Sequence, residues 1–180
     1  ADMDRPLGAV AYVDAFAEML AQTQRAGFTP NAVIHSTGSG ATQAGLLVGA
    51  KALAPRTRVV GISVSDEKEL FAQIVWDITE ALENELRLDP VALREDVLVF
   101  DEYIREGYGI VNREVAEVIR RVFTREGIVL DPVYTSKAFI GMLDLIAKGY
   151  FKPADKIVFF HTGGTPALFP NRHKLMEFLD

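Results

Sequence analysis

Three short segments of the chain combine residue types and backbone shapes that can do chemistry. The first is His35-Ser36-Thr37-Gly38-Ser39-Gly40-Ala41-Thr42-Gln43-Ala44-Gly45. Glycine lets the backbone approach a ligand closely, and the free N–H groups at a helix start attract anions. With the hydroxyls of Ser39 and Thr42 added, the stretch Gly38, Ser39, Gly40, Ala41, Thr42 reads as a phosphate cradle. The Gly-Lys-Ser/Thr ending of a nucleotide P-loop is absent. A GxGxxG fingerprint fails too, because the glycines fall at 38, 40 and 45. The same glycines would also suit a plain strand-to-helix turn, and a nucleotide on a general α/β scaffold is a competing ligand. A place at the carboxyl end of a strand favours anion binding over the plain turn.

The second segment is His161-Thr162-Gly163-Gly164-Thr165-Pro166-Ala167-Leu168-Phe169. Thr162 and Thr165 can donate to a ring nitrogen or a carboxylate, and Pro166 suits the first turn of a terminal helix. The third is Leu130-Asp131-Pro132-Val133-Tyr134-Thr135-Ser136-Lys137. Pro132 keeps Asp131 extended, so Tyr134 falls where a helix begins. A helix start can stabilise a phenolate, which would fit Tyr134 for proton transfer; the plainer reading is a half-buried packing residue. Lys137, one turn into that helix, solvates its head or caps a neighbour rather than acting as a covalent lysine.

The elements that must position these segments follow from hydrophobic period. Strands are predicted at Ala32 to Ser36, Arg58 to Val64, Val97 to Phe100 and Lys156 to His161. Helices are predicted over Val10 to Arg25, Thr42 to Leu53, Asp66 to Leu86, Val111 to Thr124 and Thr135 to Lys148. Asp66 is the expected N-cap of the third helix, with Glu69 completing a capping box. This alternation implies an α/β fold, three-layer, with a mostly parallel sheet and helices on both faces. Ligands of such sheets bind at the carboxyl edge, the same edge at which the second segment should lie.

The 180 residues fit one domain rather than two, and 49% apolar with 24% charged residues marks an ordinary globular chain. A net charge of −6 argues against a nucleic-acid partner, which needs clustered cations. No apolar run is long enough for a membrane-spanning helix. Having no cysteine, the chain has no disulfide, thiolate metal site or cysteine nucleophile, and this fits the cytoplasm. The opening residues Ala1 to Pro6 lack the layout of a secretory signal, and no initiator methionine leads them.

In order along the chain, five motifs resemble the pyridoxal-phosphate enzymes that include D-cysteine desulfhydrase, L-cysteate sulfo-lyase and 1-aminocyclopropane-1-carboxylate deaminase. Arg5-Pro6-Leu7-Gly8-Ala9-Val10 with Tyr12 is similar to the family's Pro-Leu-Gly helix start, and Ser39 to Gly45 to its phosphate loop. Glu106-Gly107-Tyr108-Gly109-Ile110-Val111-Asn112 resembles a Tyr-Gly-x-Pro-Asn segment, with Val111 in place of the proline. Asp131-Pro132-Val133-Tyr134 is like the segment of a second active-site tyrosine. His161 to Leu168 resembles the loop that passes beneath the cofactor ring.

The resemblance implies the large domain of a fold-type II enzyme that binds pyridoxal 5'-phosphate and acts on a small amino acid. It implies phosphate binding by Gly38 to Thr42, substrate contact or proton transfer by Tyr108 and Tyr134, and contact with the ring by Thr135, Thr162 and Gly163. Members that open the cyclopropane ring carry glutamate after the second tyrosine, whereas Thr135 is a neutral partner for the pyridine nitrogen. β-Elimination to pyruvate, ammonia and a sulfur leaving group is therefore favoured over ring opening.

None of the seven lysines lies in a segment like the one that carries the family's Schiff-base lysine. The expectation is a C-terminal portion over 1–180, with the N-terminal portion and small domain absent. It would be a truncation, one half of a split enzyme completed by an N-terminal segment, or a binding remnant. The first is favoured, and the intact protein is expected to be a homodimer. Such a piece should also expose apolar surface.

Overall fold

The computed structural model describes residues 5–179; the polar opening read above as no secretory signal falls largely on 1–4, outside them. Four strands form one parallel sheet: β1 (Ala32–Thr37), β2 (Arg58–Ser63), β3 (Leu98–Phe100) and β4 (Ile157–Phe160). Their order is β3-β2-β1-β4, with Ile34 opposite both Val60 and Phe159. The chain moves outward from β1 through β2 to β3 and then returns to the other side of β1. That reversal is a topological switch point, and the loops leaving β1 and β4 flank it.

Alternation along β1 sends side chains to two faces, so helices must cover both. Ala32 and Ile34 pack with Val60 and Ile62 against α4 (Arg113–Glu126), α5 (Thr135–Ala147) and α6 (Leu168–Glu177). Val33 and Val59 pack on the opposite face against α1 (Arg5–Arg25) and α2 (Ala41–Leu53). On that same side α3 (Lys68–Glu85) buries Phe71, Val75, Ile78 and Leu82 with Val99. The three-layer expectation holds, and each predicted strand lies within a residue of its observed place.

Two glycines on α2 explain how α1 reaches the sheet's carboxyl edge. A Cβ on Gly45 would lie 2.1 Å from the Ala9 carbonyl oxygen, and one on Gly49 would lie 2.9 Å from Phe16 Cβ. Spaced four apart, they open a groove in which α1 lies nearly backbone to backbone. Gly61 on β2 makes similar room for the buried Gln43, whose amide donates to the Leu98 carbonyl (2.8 Å).

Three helix starts differ from expectation by two residues or more: α1 begins at Arg5 rather than Val10, α4 at Arg113 rather than Val111, and α3 after Asp66. The third helix begins at Lys68, after Glu67, and Asp66 forms no capping box with Glu69. Ser63 Oγ donates to the Asp66 carbonyl (2.7 Å), which holds Asp66 in the turn before the helix. The Lys68 N–H is instead taken by Asp101 Oδ2 (2.8 Å), a carboxylate from beyond β3. Exposed apolar side chains include Phe169 at 75% and Phe123 and Met176 at 55% exposure. Among the described residues no helix is long and apolar enough to cross a membrane.

Candidate active site

A cleft of about 480 Å³ opens where the β1 and β4 loops meet, within the range of small-molecule sites. Six residues singled out from the sequence line it: Gly38, Ser39, Thr42, Tyr108, Tyr134 and Thr162. Tyr12, Ser36, Ser65 and Gly164 complete the lining, and every one of the ten is uncharged.

The β1 side is built by the turn into α2. Gly40 is the N-cap residue at φ 87°, a left-handed backbone that favours glycine. A Cβ there would also press to 3.0 Å from Ile78 Cδ1. Ala44 N–H donates to the Gly40 carbonyl (2.9 Å), so the N–H groups of Ala41, Thr42 and Gln43 precede the helical ladder. Gly40 and Ala41 thus contribute backbone shape rather than cleft surface. Three N–H groups and the hydroxyls of Ser39 and Thr42 form a donor set with no carboxylate among the lining residues, which suits a phosphate.

The β4 side brings Thr162 to the cleft. Its hydroxyl lies 2.9 Å from Ser36 Oγ at the end of β1, so the two strands of the switch point share a bond. Gly163 lies beside this lining at φ 92°. Gly164, at φ 90°, has its would-be Cβ only 2.6 Å from Asp131 Cγ. No residue with a side chain fits there without moving that carboxylate.

Asp131 is fully buried and organises the start of α5. Its Oδ2 accepts the N–H groups of Val133 (2.7 Å) and Tyr134 (2.9 Å). Its Oδ1 accepts the N–H (2.7 Å) and the hydroxyl (2.7 Å) of Thr135. This corrects two expectations. Thr135 is fully buried and its proton is given to Asp131, so Thr162 is the threonine presented to the cleft. The α5 N–H groups are spent on a carboxylate, so they do not stabilise a Tyr134 phenolate.

Tyr134 instead meets Tyr108, with hydroxyls bonded and rings crossing edge to face at 5.9 Å and 68°. That hydrogen bond, partial burial and the charge of Asp131 push the Tyr134 phenol up to about 12. At neutral pH it carries its proton. Of the two expected roles for Lys137, a solvated head or a cap on a neighbour, the structure shows the second: it is 1% exposed, and its ammonium donates to the carbonyls of Ile104 (2.8 Å) and Gly107 (2.6 Å). Sequence reasoning did not single out Ser65 at all, and it assigned no site role to Ser36, Gly164 or Tyr12. They join the site through the sheet order and through the α1–α2 packing at Gly45.

The family described as pyridoxal-phosphate dependent enzyme matches residues 1–163. This chain belongs to that family. A putative 1-aminocyclopropane-1-carboxylate deaminase of Pyrococcus furiosus is 39% identical over 174 residues, covering 97% of this chain and 51% of that protein. A D-cysteine desulfhydrase of Serratia proteamaculans is 39% identical over 165 residues, covering 91% and 48%. The crystal structure of an ACC deaminase homologue superposes with a TM-score of 0.86 at 36% identity, over 96% of this chain and 50% of that one. The chain spans about half the length of the curated relatives it matches. The fold is that of a fold-type II pyridoxal-phosphate enzyme, a family whose members use pyridoxal phosphate.

Proposed function

We propose that the chain is the cofactor-cradling part of a lyase of the D-cysteine desulfhydrase kind, releasing pyruvate, ammonia and sulfide from a cysteine-like amino acid, or sulfite from cysteate. The observation that carries this is the cleft itself, in which an anion-donor turn, a threonine and a pair of phenols meet at the sheet's switch point. The bound cofactor would supply the electron sink that labilises bonds at the amino acid's α-carbon. The turn of Gly38 to Thr42 would hold its phosphate, and Thr162, steadied by Ser36, would face its ring nitrogen. Tyr134 keeps its proton at neutral pH and so serves as a donor from its hydroxyl, toward the departing sulfur, rather than as a base. Tyr108 orients that hydroxyl.

The two relatives share equal identity with the chain, so identity does not choose between elimination and ring opening. The neutral lining does favour elimination, since no carboxylate in the cleft would hold a protonated pyridine nitrogen. The reading extends to a homodimer in the cytoplasm, with an N-terminal segment completing the site. The test is to give the full-length protein D-cysteine and 1-aminocyclopropane-1-carboxylate in parallel. Pyruvate and sulfide from the first, with little 2-oxobutyrate from the second, is expected. The reverse ratio establishes the deaminase, and cofactor binding without either product establishes a catalytically inactive binding protein.

A further inference from the structure

We infer that Lys137 is a positioning residue that clamps the turn carrying Tyr108 and so holds that phenol against Tyr134. This deepens the proposed function and rests on its reading of the two tyrosines as the pair facing the substrate.

Lys137 lies three residues after Tyr134, in the first turn of α5, and its ammonium grips the two carbonyls on either side of the turn Ile104–Gly107. One side chain therefore ties the helix that starts at Tyr134 to the residue just before Tyr108. The turn has reason to need a tie. Arg105 sits at φ 58°, a left-handed backbone that a non-glycine residue adopts at a cost, and Gly107 and Gly109 sit at φ 138° and 70°. Tyr108 is 54% exposed, so packing does little to fix it, and its contact with Tyr134 is the one hydrogen bond its hydroxyl makes among the described residues.

The chemistry at Lys137 is that of a tether rather than of an ion pair. Among the described residues no carboxylate lies within ion-pair distance of its ammonium, and burial lowers its pKa. A buried cation is costly to hold, and the two carbonyl dipoles and the charge of Glu106, all on this turn, offset that cost only while the turn stays in place. The neighbouring links act elsewhere. Tyr103 donates to Asp144 (2.6 Å), and Arg105 pairs with Glu114 through two bonds of 3.0 Å. Both anchor the turn before Glu106, Asn112 Nδ2 donates to Glu106 Oε2 (2.8 Å), and the Ile110 N–H donates to the Gly107 carbonyl (3.3 Å) within the loop; among the described residues Lys137 is the side chain that ties Gly107 to α5.

The test uses the full-length holoenzyme, with Lys137→Met, which keeps the stem but removes the donors, Tyr108→Phe, and the double variant. Misplacing a reacting group by about 1 Å can cost on the order of 100-fold, so Lys137→Met is expected to lower kcat about 10- to 100-fold. KM and cofactor affinity should stay within about threefold, since Lys137 lines neither the phosphate turn nor the cleft. The double variant should fall no further than the worse single one, because both changes remove the same placement. Amide exchange over 105–109 should quicken about tenfold or more while β1 and β2 keep their protection. Multiplying losses in the double variant, or unchanged exchange in the turn, overturn the inference. Should Lys137→Met fail to fold, Lys137→Gln, which keeps a donor, replaces it in the same comparison and should show a smaller change of the same pattern; wild-type turn protection and kcat in it overturn the inference. A wild-type protein without elimination activity refutes the proposed function, while the exchange measurement still reads the clamp.

Discussion

Replacing Asp131 by asparagine should damage the fold at the point where the site is assembled. The carboxylate accepts four bonds of 2.7 to 2.9 Å, two on each oxygen. An asparagine side chain has one oxygen, so in either orientation its amide nitrogen faces two donors. Bonds to a charged group contribute about 1.5–3 kcal/mol each, and losing two of them should cost about 3–6 kcal/mol. With the amide nitrogen turned to Thr135, its hydroxyl can accept from that N–H instead of donating, which brings the expectation to about 3–4 kcal/mol. For a domain of this size that is a fall in Tm of about 6–16 °C. Urea unfolding followed by circular dichroism measures it. The same substitution removes the negative charge beside Tyr134, so its phenol should titrate lower than about 12 in ultraviolet difference spectra. A destabilisation below about 1 kcal/mol, in the range of a single ordinary hydrogen bond, would refute the idea that this carboxylate organises the start of α5.

Other expectations follow from single residues. The raised pKa of Tyr134 stabilises the fold fully below about pH 10 and is lost as pH climbs through about 12, so Tyr134→Phe should flatten alkaline unfolding in that window. His35 is fully buried, donates Nδ1–H to the Ser36 carbonyl (2.8 Å), and has no protein partner for Nε2 among the described residues. Burial pushes it down from 6.5 to about 4, so roughly 3 kcal/mol of stability should be lost as pH falls across that window. His35→Gln, measured by denaturant unfolding at pH 7 and 4.5, should show a smaller difference than wild type. Gly45→Ala places a methyl 2.1 Å from the Ala9 carbonyl, and overpacking of this kind costs about 1–3 kcal/mol. A thermal melt would check it, and an unchanged Tm would mean that α1 does not rest on that glycine.

Much of this molecule is legible from local pattern. The four strands announce themselves as short runs such as Ala-Val-Ile-His-Ser, and Gly38 and Gly40 mark the turn that lines the cleft because only a ligand or a tight turn needs them there. What is not legible depends on partners distant in the sequence. Asp66 has the form of a cap, but the N–H it should receive is taken by Asp101. Thr135 has the form of a ring partner until Asp131 is seen to hold its hydroxyl. Lys137 reads as a lysine that is solvated or caps a neighbour, but which neighbour is not legible, because its acceptors, the carbonyls of Ile104 and Gly107, are backbone groups of another loop. The meeting of Thr162 with Ser36 requires β4 beside β1, which the order of elements alone does not specify.

The most direct test of the central claim is a crystal structure of the full-length protein grown with pyridoxal phosphate. The phosphate is expected on the N–H groups and hydroxyls between Gly38 and Thr42, Thr162 at the ring nitrogen, and the paired hydroxyls of Tyr108 and Tyr134 on the substrate side. Cofactor bound elsewhere with that turn vacant, or the two tyrosines parted from the ring, would contradict that claim.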